Sequence, residues 1–175
     1  MLRAWFYLRL LDAFRHVPFA TSYYDLSKNI QTQVHPKQIY DFIESELKNA
    51  IPLLAKKTTL GGNQNHQGSW TQAAAAALLV RLYLNAKVYI GEDHYNDCAT
   101  VAQAILNGTY GTYQIGSRLD EAFDWNNQTS DEVIFAFPGS EGYSHWHYGG
   151  DMYWWSVPSK ANEWLKDTKN KQGSH

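Results

Sequence analysis

The run Gln72-Ala-Ala-Ala-Ala-Ala77-Leu-Leu-Val-Arg-Leu-Tyr83 constrains this chain more than any other stretch. Alanine is the best helix former, and its small side chain lets a neighbouring element come close. Leu78, Leu79, Leu82, Tyr83, Ala86 and Tyr89 continue the run at helical spacing. Ser69-Trp-Thr-Gln72 reads as a capping box, in which each end satisfies the other's free amide. Gly91 closes the helix. A further helix is predicted from about His94 to Asn107, with Gly108 as its C-terminal cap. The pair has the length of a tetratricopeptide hairpin, whose repeat is about 34 residues. Leu82, Ala86 and Tyr89 fall at that repeat's large, small and aromatic positions, and Tyr95, Cys98, Ala102 and Ile105 continue it. The repeat's usual closing proline is missing, and Tyr110 stands near its place.

Two more helices precede this pair. The first spans Leu2 to about Phe14, where Leu2, Trp5 (or Phe6), Leu10 (or Leu8) and Ala13 keep one face apolar. Arg3, Arg9 and Asp12 can reach water, and Val17-Pro18 ends the helix. The other begins near Pro36, a favourable first-turn residue. Ile39, Tyr40, Ile43, Leu47 and Ala50 or Ile51 follow, and Pro52 bounds it. Phe19 to Val34 is irregular, which argues against a plain repeat array. Lys56–Gly68 is a polar loop. A helix that starts at residue 1 without a cap is unusual, so the chain is expected to be part of something longer.

Beyond Gly108 the character changes: Gly, Tyr and Asn become frequent. Glu132-Val-Ile-Phe-Ala-Phe137 is β-like and stops at Pro138-Gly139. Glu141 to Trp155 has no clean period and reads as a long loop, a class that is often functional. Ser159 to Lys166 suits a short helix, and Gly173-Ser174-His175 ends a tail outside the folded part. The chain carries seven Trp, 12 Tyr and seven Phe, more rings than one small core needs. Trp and Tyr keep a polar tip that favours water or a partner, so many of them should line a surface. Within the loop, Tyr143, Trp146, Tyr148, Tyr153, Trp154 and Trp155 are candidates to stack on sugar faces, with His145, His147 and Asp151 as partners for hydroxyls. Trp154 and Trp155 are adjacent, so in an extended segment they point opposite ways and one of them is buried.

Other classes find little support. A formal net charge of −2 gives no electrostatic case for nucleic acid or an anionic membrane. One cysteine excludes an internal disulfide framework. No apolar run reaches the roughly 18 residues of a membrane-spanning helix. His145-x-His147 is at most half a metal site, since zinc needs three or four ligands, and no metal or other cofactor is expected. Glu141 with Asp151, or Asp131 with Glu132, has no spacing distinctive of a glycosidase, and no nucleophile or phosphate-loop signature is present. No catalytic residue is therefore assigned.

The order and spacing of several stretches resemble the SusD/RagB family of outer-membrane glycan-binding lipoproteins. They are Leu2-Arg-Ala-Trp-Phe-Tyr-Leu-Arg-Leu-Leu-Asp-Ala-Phe14 with Val17-Pro18, then Ile39-Tyr-Asp-Phe-Ile-Glu-Ser-Glu-Leu47, then Thr71-Gln-Ala-Ala-Ala through Ala77-Leu-Leu-Val-Arg-Leu-Tyr-Leu-Asn-Ala86. Tyr95 to Tyr110, Asn126 to Pro138 and, more weakly, Val157 to Leu165 continue the pattern. The resemblance implies a mainly α fold of tetratricopeptide-like helical hairpins with long aromatic-rich loops and little β structure. It implies one partial domain over 1–175: a helical scaffold over 1–110 and a loop-rich, glycan-binding segment over 111–175. It also implies non-catalytic binding of oligosaccharide or polysaccharide at the cell surface, for delivery to a SusC-like TonB-dependent transporter. Membrane attachment would come through a lipid anchor outside this chain, and Cys98 does not suit that role. The alternative is a tetratricopeptide-like scaffold for protein–protein interaction.

Overall fold

A computed structural model describes residues 1–22, 31–61, 68–123 and 127–137. The chain divides into two units, Met1–Ala136 and Phe137–His175, and the elements described here all lie in the first. They are the helices α1 (Leu2–Phe14), α2 (Pro36–Ala50), α3 (Gln72–Leu84), α4 (Ala86–Ile90) and α5 (Tyr95–Leu106), with short 3-10 turns at Ile51–Leu53, Glu121–Phe123 and Asn127–Thr129. The mainly helical class expected from the sequence is what these residues form. Among them β pairing is limited to isolated bridges: Pro18 with Gln33, Ala55 with Thr71, and Lys57 with Gly111. Glu132–Phe137 forms no strand. At its start the Glu132 N–H donates to the Ser130 hydroxyl (3.3 Å), which closes a local turn.

One core holds the unit together. Ala4, Leu8 and Leu11 of α1, Ile39, Tyr40, Ile43 and Leu47 of α2, and Ala75, Leu79, Leu82 and Tyr83 of α3 meet there, with Ala86 and Tyr89 of α4. Each fully buried Leu or Ile contributes about 1.5–3 kcal/mol of transfer free energy. The alanines explain the layout. Ala73 to Ala76 are all buried, so α2 and α5 can both pack on α3 at short range. Tyr7 closes one edge: its hydroxyl donates to the Ala20 carbonyl (2.7 Å) and accepts from the Ala20 N–H (2.9 Å).

Three readings change in the structure. First, α1 buries Ala4, Leu8 and Leu11, whereas Leu2, Phe6, Leu10 and Phe14 face out. Second, the cap of α3 is Thr71, not Ser69: the Thr71 hydroxyl accepts from the Ala74 N–H at 3.2 Å. The Thr71 bridge to Ala55, with the Gln72 N–H on the Ala55 carbonyl (2.9 Å), delays the turn by two residues. The Gln72 side chain then donates to the Leu54 carbonyl (3.1 Å) instead of closing a box. Third, the long helix breaks at Asn85, whose side-chain amide donates to the Arg81 carbonyl (2.9 Å). Gly91, at φ 77°, ends α4 as expected. Past α5 the Gly108 N–H reaches the Ile105 carbonyl and the Thr109 N–H the Ala104 carbonyl, a paired closure that needs Gly108 at φ 76°.

Candidate functional site

The loop residues singled out from the sequence, Tyr143, His145, Trp146, His147, Tyr148, Asp151, Tyr153, Trp154 and Trp155, lie outside the described residues. So does the short helix expected at 159–166. The described residues bring other rings together. Trp5 comes from α1, Trp70 from the extended approach to α3, and Phe135 from the segment after the last 3-10 turn. Trp70 and Phe135 stack with centroids 4.2 Å apart and planes 12° from parallel. Trp5 tilts toward Trp70 at 6.4 Å and meets Phe6 edge-on at 4.9 Å.

These rings border a groove of about 430 Å³, lined also by Ala74, Ala77 and Leu78 of α3 and by Val133 and Ile134. Its presence follows from local sequence. The delayed cap keeps Trp70 in extended chain just outside the helix, and the alanines at 74 and 77 leave space that larger residues would fill. A volume of this size lies within the range of about 300–1,000 Å³ typical of ligand pockets.

Polar groups stand at the ends. Arg81 and Glu132 line the groove itself. An adjoining recess is bounded by Trp5, Leu8, Arg9, Asp12, Leu78 and Arg81. Arg81 pairs with the Asp12 carboxylate at 3.3 Å, and both are well exposed (49% and 39%). Asp12 also accepts from the Tyr89 hydroxyl (2.8 Å), which, with the positive charges of Arg81 and Arg15, holds its carboxyl below the usual range. Burial and that same bond push the Tyr89 hydroxyl up to about 12. Asp12 is thus a fixed anion, oriented from beneath by a buried tyrosine. The Arg9 guanidinium stands 5.9 Å from the Trp5 ring. The Glu132 carboxylate accepts from the Gly116 N–H (3.1 Å).

Of the carboxylates considered for catalysis, Asp131 is committed elsewhere. It accepts from Lys57 Nζ (2.5 Å) and from the Gly61 N–H (2.9 Å to Oδ2). Among the described residues no cluster of His, Cys, Asp and Glu could hold a metal ion, and no helix is long and apolar enough to cross a membrane. Sequence reasoning missed the groove because its rings lie in three separate segments. The signal present in the sequence is Trp70, a large ring inside the polar Ser69-Trp-Thr-Gln72 stretch.

The class defined by this fold and site is a mainly helical scaffold that carries an aromatic groove. No family model matches the chain. It is similar to the starch-binding protein SusD of Bacteroides thetaiotaomicron, at 27% identity over 153 residues, which is 87% of this chain and 26% of that protein. The chain thus spans about a quarter of the length of the curated relative it matches. The resemblance to SusD-like proteins read from the helices is borne out by this likeness.

Proposed function

We propose that this protein binds oligosaccharide or polysaccharide without transforming it, at the outer surface of the outer membrane, and passes it to a SusC-like TonB-dependent transporter. The observation that carries the reading is the likeness, over 87% of the chain, to a protein whose name is starch-binding. The aromatic content is consistent with it: sugar rings present apolar C–H faces to aromatic planes and a rim of hydroxyls to planar polar groups. The site is the 143–155 stretch, with Tyr143, Trp146, Tyr148, Tyr153, Trp154 and Trp155 as stacking rings and His145, His147 and Asp151 as hydroxyl partners. The helical hairpins are its scaffold, in the manner of tetratricopeptide pairs, and a lipid anchor outside this chain attaches the protein to the membrane.

A carbohydrate panel read by Trp fluorescence and calorimetry tests this. Trp146→Ala or Trp154→Ala should weaken binding at least tenfold, as the loss of one stacked ring (about 1–3 kcal/mol for the comparable base contact) requires. The far-UV helical signal should stay unchanged. Unaltered affinity in both variants would remove the site from this stretch.

A second reading, a scaffold for protein–protein contact, is favoured by one observation. Leu2, Phe6, Leu10 and Phe14 form an exposed apolar stripe along α1. Single exposed apolar residues are ordinary, but a helix apolar on both faces generally has a neighbour on each. A transporter that binds the protein while no glycan does would select this reading.

A further inference from the structure

We propose that His94 is a proton-operated clasp. Protonated, it pins the 91–94 turn and the first turn of α5 onto α2; neutral, it lets them open while the rest of the helical unit stays folded. The proposal does not depend on the glycan-binding reading.

Three observations carry it. Both ring nitrogens of His94 face carboxylates: Nδ1 lies 2.8 Å from Asp97 and Nε2 3.5 Å from Glu92. Carboxylates only accept, and a neutral imidazole has a single N–H. The imidazolium satisfies both, whereas the neutral ring turns a lone pair toward one of the two anions. The ring also meets two tyrosines, nearly parallel to Tyr83 (5.9 Å, 15°) and tilted against Tyr40 (5.6 Å, 38°), and aromatic faces favour a cation. Finally, the Tyr40 hydroxyl is buried with no hydrogen-bond partner among the described residues. The charges of Glu44, Asp97 and Glu92 act on it, which places it beneath the same turn. An unsatisfied donor biases the turn toward opening, so the closed form needs a contact strong enough to hold it.

The other charged groups around the ring are committed. On α2, Lys37 is held by Asp41 (2.8 Å) and Glu92 (3.4 Å), and Lys48 by Glu44 (2.7 Å). Glu44 also accepts from the Tyr83 hydroxyl of α3 (2.7 Å), and Asp93 from the Tyr95 N–H (2.9 Å). The positive end of α5 opposes a cation at His94. The hydrogen bond to Asp97, followed by that to Glu92, outweighs it and holds the His94 pKa above its ordinary value. The side chain is 23% exposed, so its proton exchanges with solvent. The clasp is therefore closed below the ordinary histidine value of about 6.5 and is released as pH rises through the higher folded value.

Residue-resolved amide exchange on the full chain, corrected for intrinsic rates, tests this from about pH 5.5 to about pH 8.5. The Tyr95 and Cys98 amides report on the clasp, the latter through its bond to the His94 carbonyl (2.9 Å). The Ala75 amide, on the Thr71 carbonyl (3.1 Å) in α3, reports on global unfolding. Protection at Tyr95 and Cys98 should fall severalfold as pH rises. It should also be nearly insensitive to low urea, because local opening exposes little surface, while protection at Ala75 falls with urea. His94→Gln keeps a polar side chain that stays neutral, so both clasp amides should exchange at the high-pH level throughout. Flat protection across the range in the unsubstituted protein would overturn the proposal. So would Tyr95 and Cys98 following Ala75 in urea, which marks global unfolding alone. An unchanged pH profile in folded His94→Gln would assign the proton to another group and overturn it equally.

Discussion

Arg15 ends α1 with φ 62° and ψ −68°, a conformation that L side chains rarely adopt. The His16 N–H returns to the Phe14 carbonyl at 2.7 Å, so Arg15 is the centre of a tight γ-turn. Such a residue stores about 1–3 kcal/mol of strain, which its surroundings must offset. Here the guanidinium donates to the Leu11 and Asp12 carbonyls (2.8 Å each) and lies 4.8 Å above the Tyr89 ring. Arg15→Ala keeps the strain and loses these anchors, so urea unfolding should report a loss of about 1–2 kcal/mol. Arg15→Gly relieves the strain and should recover part of that loss. His94 gives a pH signature. Its hydrogen bond to Asp97 (2.8 Å), aided by Glu92, raises its pKa above the ordinary value, and its ring stacks on Tyr83 at 5.9 Å. The protonated form is therefore favoured in the folded state. Its stabilisation is complete below the unfolded pKa of about 6.5 and is lost as pH rises through the higher folded value. Melting temperatures of the native protein and His94→Ala should differ most near pH 5.5 and converge toward pH 8.5. A gap that widened with pH would contradict the assignment.

Among the elements, α2 and α1 show what the chain makes legible. In α2, Pro36, Ile39, Tyr40, Ile43 and Leu47 recur on one face with polar residues between them, and the structure buries these very residues. In α1, apolar side chains occur all round, so periodicity alone did not choose among the faces. The choice fell to packing, which seats the small Ala4 against its neighbours and turns Phe6 and Leu10 outward. Leu8→Ala or Leu11→Ala should cost about 2–5 kcal/mol, whereas Leu10→Ala should stay within roughly 1 kcal/mol. The start of α3 is set by a different effect. Ser69 and Thr71 are both good caps, and the selection was made by Ala55, a residue some way off in the chain. Thr71→Ala should cost about 1 kcal/mol in chemical denaturation and Ser69→Ala almost nothing.

On the scale of the whole molecule, long-range ties were the least legible. Lys57 lies in a stretch that reads as polar loop, yet it is 2% exposed, paired with Asp131 and set 5.0 Å from the Tyr113 ring. No local pattern marks a lysine for burial, because its partners arrive from more than 50 residues away. The groove was hidden for the same reason, since Trp5, Trp70 and Phe135 are brought together only by the packing of α1, α3 and the segment beyond. Lys57→Met leaves Asp131 with its charge but without the ammonium. It should lower stability by about 3 kcal/mol, the low end for a broken buried pair, because Asp131 keeps the Gly61 N–H and some solvent.

The Lys57–Asp131 tie also joins backbone that would otherwise fray independently. The Thr112 N–H is bonded to the Lys57 carbonyl (2.8 Å), the Gln114 N–H to the Asp131 carbonyl (3.2 Å), and the Gly61 N–H to the Asp131 carboxylate. Gly111 lets these strands of chain meet, since a Cβ there would fall 2.8 Å from Tyr113. The three amides should therefore exchange with deuterium as one cooperative unit, opening together at a common free energy. Neutralising Asp131 should dissolve that unit, and each amide would then exchange on its own clock.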